Sequence, residues 1–218
     1  MSRTVLVVAG GDPPSPEVSR ALPPAAMCIA ADSGIDHARA LGIIPDLAVG
    51  DFDSVTAEGL EWVSRSGATV TRHPAAKNHT DLELAIDAAL ATDPERVVVI
   101  AVAGGRTDHF LANIAVLAQP AYRGAEIDAY MGTSVISVVH DRRTLAGEAG
   151  ETITLLPVGG DATGVTTDGL RYPLVGEPLP AGTTRGVSNV FDGESATVSV
   201  ESGVLLAIRP DHLRSERL

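Results

Sequence analysis

The chain alternates between unbroken apolar runs and stretches with helical spacing. Residues 5–9 form an apolar, β-branched run ending at Gly10-Gly11, and residues 27–31 form a second one ending at Asp32. Residues 47–49 are a shorter run that leads into Gly50-Asp51, and residues 69–71 are a weaker one. Residues 96–103 are the strongest, with Val97, Val98, Val99, Ile100 and Val102. Continuous runs of this kind predict strands covered on both faces. Between them, Ile35, Ala38 and Leu41 have helical spacing and are followed by Gly42 as a C-cap. A further helix is expected to start near Thr56. Leu82, Ala85, Ile86, Ala89 and Leu90 form one helical stripe, and Phe110, Leu111, Ile114, Leu117 and Ala118 form another. Strand and helix in alternation predict an α/β fold with a mainly parallel sheet.

The pattern changes near residue 140. Residues 127–130 and 134–139 read as the last strands of the first domain. After Arg142-Arg143 the chain becomes rich in Gly, Thr, Pro and Val. Residues 152–156, 196–200 and 204–208 read as strands, and Ser202-Gly203 is a hairpin signal. No helical period appears in this part. The expected organisation is an α/β domain over 1–140 followed by a small all-β sandwich or barrel over 141–218.

Charge and composition narrow the function classes. The 218 residues carry a formal net charge of -12, so most of the surface repels a nucleic-acid backbone. Aromatic residues make up 3%, too few for a base-stacking platform. Cys28, the single cysteine, sits in an apolar run and is expected to be a buried strand residue. No intrachain disulfide can form, which fits a reducing cytoplasm. The first apolar run is too short for a signal sequence, and no stretch reaches transmembrane length. The expectation is a cytoplasmic protein without membrane or nucleic-acid partners.

Candidate chemistry lies at the ends of the predicted strands. Four acidic clusters follow them: Asp32-Ser33-Gly34, Gly50-Asp51-Phe52-Asp53-Ser54, Thr80-Asp81, and Gly104-Gly105-Arg106-Thr107-Asp108-His109. In a parallel sheet the strand C-termini share one edge, where ligands bind. Carboxylates gathered there suit a hard cation bound to phosphate. The Gly104-Gly105 pair lets backbone approach a ligand, Arg106 can grip phosphate in a fork, and Asp108 can bind metal or accept a proton. Lys77-Asn78-His79 leads into a helix N-terminus, a phosphate-binding context. Each cluster also has a purely local reading. Asp32-Ser33, Asp53-Ser54 and Thr107-Asp108 can cap helices, Thr80 with Glu83 is a capping box, and His109 and Asn113 can satisfy local hydrogen bonds. Four such clusters on one edge are harder to explain by capping alone. Walker-type Gly-Lys-Ser/Thr loops, zinc-type Cys/His spacings and Gly-x-Ser-x-Gly elbows do not occur.

In this order and with these gaps, the motifs resemble thiamine pyrophosphokinases over nearly the full length. The resemblance rests on residues 31–34, 41–54, 77–83 and 104–113, and in the second domain on residues 164–172 and 184–189. It implies transfer of the diphosphate of ATP to the hydroxyl of thiamine, giving thiamine diphosphate and AMP. It implies magnesium with ATP as co-substrate, and a homodimer with active sites at the subunit interface. Carried onto this chain, it implies Asp51, Asp53 and Asp81 as magnesium ligands, with Asp32, Asp108 and Arg106 completing the catalytic set. Lys77, Thr80, Gly104, Gly105, Arg106 and Asn113 would bind ATP phosphates, and Ser188 and Asn189 would contact thiamine. Asn78 stands where the family often has Asp, Ser33 replaces a frequent Gly, and Asp36 a frequent Asn. Two alternatives are a pyrophosphokinase for another hydroxymethyl heterocycle, such as a pterin, and a non-catalytic nucleotide or thiamine sensor.

Overall fold

The computed structural model describes residues 3–74, 76, 78–104 and 106–214. By contact density the chain divides into two compact units, Met1–Val116 with Ile127–Gly132, and Leu117–Glu126 with Thr133–Leu218.

The first unit alternates strand and helix. Its elements are β1 (Thr4–Val8), α1 (Pro16–Ala21), β2 (Met27–Ala31), α2 (Gly34–Ala40), β3 (Leu47–Gly50), α3 (Ala57–Arg65), β4 (Thr69–Arg72), α4 (Asp81–Leu90), β5 (Arg96–Ile100), α5 (Thr107–Leu117) and β6 (Glu126–Met131). The strands lie in the order β6-β5-β1-β2-β3-β4. β5, β1, β2, β3 and β4 run parallel. All of β1 and all but the first residue of β5 are buried, as unbroken apolar runs require. Ile29, Ile35, Ile86 and Ile100 are fully buried, each contributing about 2–3 kcal/mol by area. α4 packs on β1, β2, β3 and β5, and α2 packs on β1 and β2. β4, the weakest predicted strand, is the exposed edge.

α1 was not anticipated from hydrophobic spacing, because it buries only Val18. Its signal is local: Ser15 accepts the Val18 N–H as N-cap, and Pro16 occupies the first turn.

The second unit is an antiparallel sandwich. Its strands are β7 (Ser134–Val139), β8 (Arg142–Ala146), β9 (Thr152–Pro157), β10 (Ala162–Asp168), β11 (Glu177–Leu179), β12 (Asn189–Val190), β13 (Ser195–Ser199) and β14 (Leu205–Arg209). One sheet has the order β12-β9-β14-β7 and the other β11-β10-β13-β8. Ile153, Leu155, Leu205 and Ala207 from the first meet Leu145, Val165, Leu179 and Val198 from the second in one core around Phe191. Alternating burial along β8 and β13 is the period-2 pattern of strands with one covered face. β7 is paired with β14 through five residues. The hairpin expected at Ser202-Gly203 does not form. β13 pairs with β8 and β10 while β14 pairs with β7 and β9, so residues 200–204 carry the chain from one sheet to the other.

Candidate active site at the strand C-termini

β1 lies between β2 and β5, so the chain leaves it to one side and returns to the other. This reversal opens a crevice at the strand C-termini, where parallel α/β sheets bind ligands. The crevice floor is tightly packed. The Gly11 N–H bonds to the Ala101 carbonyl at 2.9 Å, and a β-carbon on Gly11 would lie 2.1 Å from the Ala103 oxygen. A β-carbon on Gly34 would lie 2.0 Å from the Val8 oxygen, so only glycine lets α2 start directly above β1.

The cleft above this floor has a volume of about 610 Å³. Asp12 follows β1, Asp32 and Ser33 follow β2, and Asp51, Asp53 and Ser54 follow β3. His79, Thr80 and Asp81 open α4, while Gly104, Arg106, His109, Phe110 and Asn113 belong to the β5–α5 segment. Acidic residues from 12 to 81 in sequence therefore share one wall system. Asp12 was missed in the sequence; its only signal is its place two residues beyond Gly10 at the same edge.

Three carboxylates converge. Asp32, Asp51 and Asp53 each present an oxygen within 4.8 Å of the others. Asp32 has a left-handed backbone, φ 45°, and its N–H is held by the Val49 carbonyl at 2.9 Å. Its Oδ1 is buried and accepts no hydrogen bond among the described residues. Burial pushes the Asp32 carboxyl above its ordinary pKa, and the charges of Asp81, Asp51 and Asp53 push in the same direction. An unpaired buried oxygen beside two further carboxylates is the donor set of a hard divalent cation. The residues present fit magnesium, with Asp32, Asp51 and Asp53 nearest one another. Asp81 lines the same cleft outside this tightest group.

The local capping readings separate at this level. Ser33 precedes α2 but makes no side-chain cap bond; its hydroxyl donates to the Gly10 carbonyl at 3.3 Å. Thr56, not Asp53 or Ser54, caps α3, accepting the Gly59 N–H at 3.0 Å. Thr80 does cap α4, accepting the Glu83 N–H at 3.2 Å, and so lines the cleft as a structural residue as well. Glu83 is also paired with His79 Nδ1 at 3.1 Å.

Arg106 and Asp108 form an exposed forked pair, Nε to Oδ1 at 3.2 Å and Nη2 to Oδ2 at 2.6 Å. The hydrogen bonds from Arg106 hold the Asp108 carboxyl down to about 2. Arg106 lines the cleft and Asp108 is not among its lining residues. Asn113 Nδ2 donates to the Val102 carbonyl at 2.8 Å, so this lining residue also ties α5 to the end of β5. Lys77 and Gly105 lie outside the described residues.

In the second unit, Ser188 is exposed, has φ 60°, and donates its N–H to Thr154 Oγ1 at 3.1 Å. Asn189 is buried. Its Nδ2 donates to the Tyr172 carbonyl at 2.8 Å, and its Oδ1 accepts the N–H groups of Tyr172 and Val190 at 3.0 and 2.8 Å. Its amide is occupied in presenting Tyr172, whose ring side is exposed.

Fold and site together define a two-unit α/β and β-sandwich protein with an acidic, cation-competent cleft at the switch point of its parallel sheet. A family model described as thiamin pyrophosphokinase, catalytic domain, matches residues 18–129, and one described as thiamin pyrophosphokinase, vitamin B1 binding domain, matches residues 135–205. The chain belongs to the thiamine pyrophosphokinase family. It is 30% identical over 215 residues to the thiamine pyrophosphokinase of Bacillus subtilis (strain 168), covering 95% of this chain and 98% of that one. The crystal structure of a B. subtilis thiamine pyrophosphokinase superposes with a TM-score of 0.82 at 30% identity, covering 95% of this chain and 98% of the other. The thiamin pyrophosphokinase of Geobacillus thermodenitrificans superposes with a TM-score of 0.80 at 26% identity, covering 94% and 96%.

Proposed function

We propose that this chain is an ATP-dependent thiamine diphosphokinase, a transferase that makes thiamine diphosphate and AMP. The observation that carries the reading is the meeting of Asp32, Asp51 and Asp53 within 4.8 Å, in a chain whose two halves match the two thiamin pyrophosphokinase domains. The thiamine hydroxyl oxygen bonds to the β-phosphorus of ATP. The bond from that phosphorus to the oxygen bridging to the α-phosphorus breaks, and its electron pair leaves with AMP. The hydroxyl proton passes to a base.

Transfer of this type depends on positioning and on stabilising charge rather than on covalent chemistry by the protein. Asp32, Asp51 and Asp53, with Asp81 beside them, hold magnesium. Bound there, the ion supplies charge neutralisation to the polyphosphate. Arg106 sets a cation against phosphate oxygens, and Asp108 keeps the guanidinium in place. A carboxyl held down to about 2 is a poor proton acceptor at neutral pH, so Asp108 serves as the holder of Arg106 and not as the base. Thr80, Gly104 and Asn113 border the phosphate region, and the motifs in which Lys77 and Gly105 stand assign these two to phosphate binding as well. Ser188 meets thiamine directly, and Asn189 acts on it through Tyr172. Residues 1–140 carry nucleotide and metal, and residues 141–218 carry thiamine. The working form is a cytoplasmic homodimer with its active sites at the subunit interface.

The test is AMP formation from ATP, magnesium and thiamine, with hydroxymethylpterin as a comparison acceptor. The expected result is thiamine-dependent AMP that is lost by at least about 100-fold in Asp53→Ala, a change at an exposed residue that leaves the melting temperature intact. Full activity in Asp53→Ala, or no thiamine-dependent AMP from the wild type, overturns the proposal.

A further inference from the structure

Between Asp51 and Asp53 stands a residue with the wrong backbone for its type. Phe52 has φ 61°, a left-handed conformation that disfavours a bulky side chain. Its ring is buried with Ala30, Ile35, Ala48 and Val63. Asp53 is turned back on Asp51, its N–H bonding to Asp51 Oδ1 at 3.2 Å. Such a conformation persists only where its surroundings enforce it.

Arg72 is the enforcing group. It ends β4, opposite Gly50 in the register of β3 and β4. From there its Nη1 donates to the Asp51 carbonyl at 2.5 Å, and its guanidinium carbon lies 5.0 Å from the centroid of the Phe52 ring. One side chain therefore holds the peptide on the near side of Phe52 and the ring of Phe52 itself, a hydrogen bond combined with a cation–π contact. The far end of the same loop is held separately. Asp36 Oδ2 accepts the Thr56 N–H at 2.9 Å and Asp36 Oδ1 accepts the Thr56 hydroxyl at 2.5 Å. Arg72 does not line the cleft.

We infer that Arg72 is a positioning residue for the Asp51–Asp53 carboxylate pair: by clamping the Asp51 carbonyl and the Phe52 ring it fixes the backbone from which both carboxylates reach the cation. The inference rests on the metal-binding reading of the cleft.

Charge and position predict opposite signs, which makes the role testable. Removing a cation near an acidic site should tighten divalent-cation binding if Arg72 acts only through its charge. Loss of positioning should weaken it, as outer partners of metal ligands do, by about 10-fold or more. Manganese(II) alone is titrated into the full chain and free ion is read by electron paramagnetic resonance, for the wild type, Arg72→Ala and Arg72→Gln. Circular dichroism melts identify the folded range of each. The expected result is wild-type binding, a loss of about 10-fold or more in Arg72→Ala, and an intermediate loss in Arg72→Gln, which keeps a donor for the carbonyl without the charge. If Arg72→Ala does not fold, weakened binding in Arg72→Gln carries the test. Unchanged or tighter binding in the folded variants overturns the role of Arg72 and leaves the proposed activity standing. Absence of manganese binding in the wild type overturns both.

Discussion

Asn189 grips the backbone of Tyr172 from both sides, donating to its carbonyl at 2.8 Å and accepting its N–H at 3.0 Å. The pair is 17 residues apart, and the grip turns a buried amide into the support of an exposed aromatic ring. Asn189→Ala leaves the backbone groups of Tyr172 and Val190 without these bonds. The expected cost is about 2 kcal/mol of stability, read by urea unfolding. The expected kinetic effect is a raised KM for thiamine with little change in that for ATP. An unchanged thiamine KM would separate Asn189 from substrate binding altogether.

Arg106 lines the cleft and is paired with Asp108. Asp108→Ala should raise the KM for ATP roughly two- to fivefold, since an exposed pair contributes little. The pair should not shape the pH profile. A carboxyl lowered by a cation keeps that stabilisation above its unfolded value and loses it only as pH falls toward about 2. Asp108→Asn should therefore leave the acid limb of activity between pH 5 and pH 7 where it is, on the range expected for an ordinary carboxylate. A displaced limb in that variant would return Asp108 to the chemistry.

His140 directly follows β7 as a buried imidazole, and neither ring nitrogen has a hydrogen-bond partner among the described residues. Burial lowers its pKa and the nearby charge of Arg123 lowers it further, against the opposing charge of Asp141. The unfolded chain then binds a proton that the folded chain refuses. Stability is complete above the unfolded value of about 6.5 and falls as pH drops from there toward the lowered folded value. His140→Leu should remove that part of the slope and raise stability by about 1 kcal/mol, because an unpaired polar ring leaves the core. Melting temperatures from pH 5 to pH 8 for the two proteins check this.

Cys28 lies in the middle of the sheet, and burial pushes its thiol up to about 12, with the Asp46 carboxylate adding to the shift. The thiolate needed for reaction is scarce at pH 8. The native protein should not react with a disulfide reagent over hours, and the denatured chain should release one equivalent. Rapid labelling of the native protein would contradict the packing of β2.

Much of the fold was legible because its signals are local. The runs at residues 5–9, 27–31 and 97–100 are apolar at every position, and only strands buried on both faces tolerate that. The stripe from Leu82 to Leu90 has one helical period and became α4. The acidic clusters were legible as a group because each comes after a predicted strand. What escaped was non-local. β7 reads as a strand from its own residues, but its pairing with β14, about seventy positions later, has no local signal. Ser202-Gly203 has hairpin chemistry, but the strands on either side belong to different sheets.

The residues by themselves determined the α/β character of the first part, the strand-rich second part, and the carriage of acidic groups to one sheet edge, since hydrophobic period and strand endings decide these. The tertiary structure alone decided which oxygens meet. Asp32 joins Asp51 and Asp53 because left-handed turns at Asp32 and Phe52 aim the carboxylates inward. Asp108 turns to Arg106 and Asn189 turns to Tyr172 for the same kind of reason. The direction of a side chain follows from backbone dihedrals and from partners distant in sequence, and no periodicity along the chain encodes either.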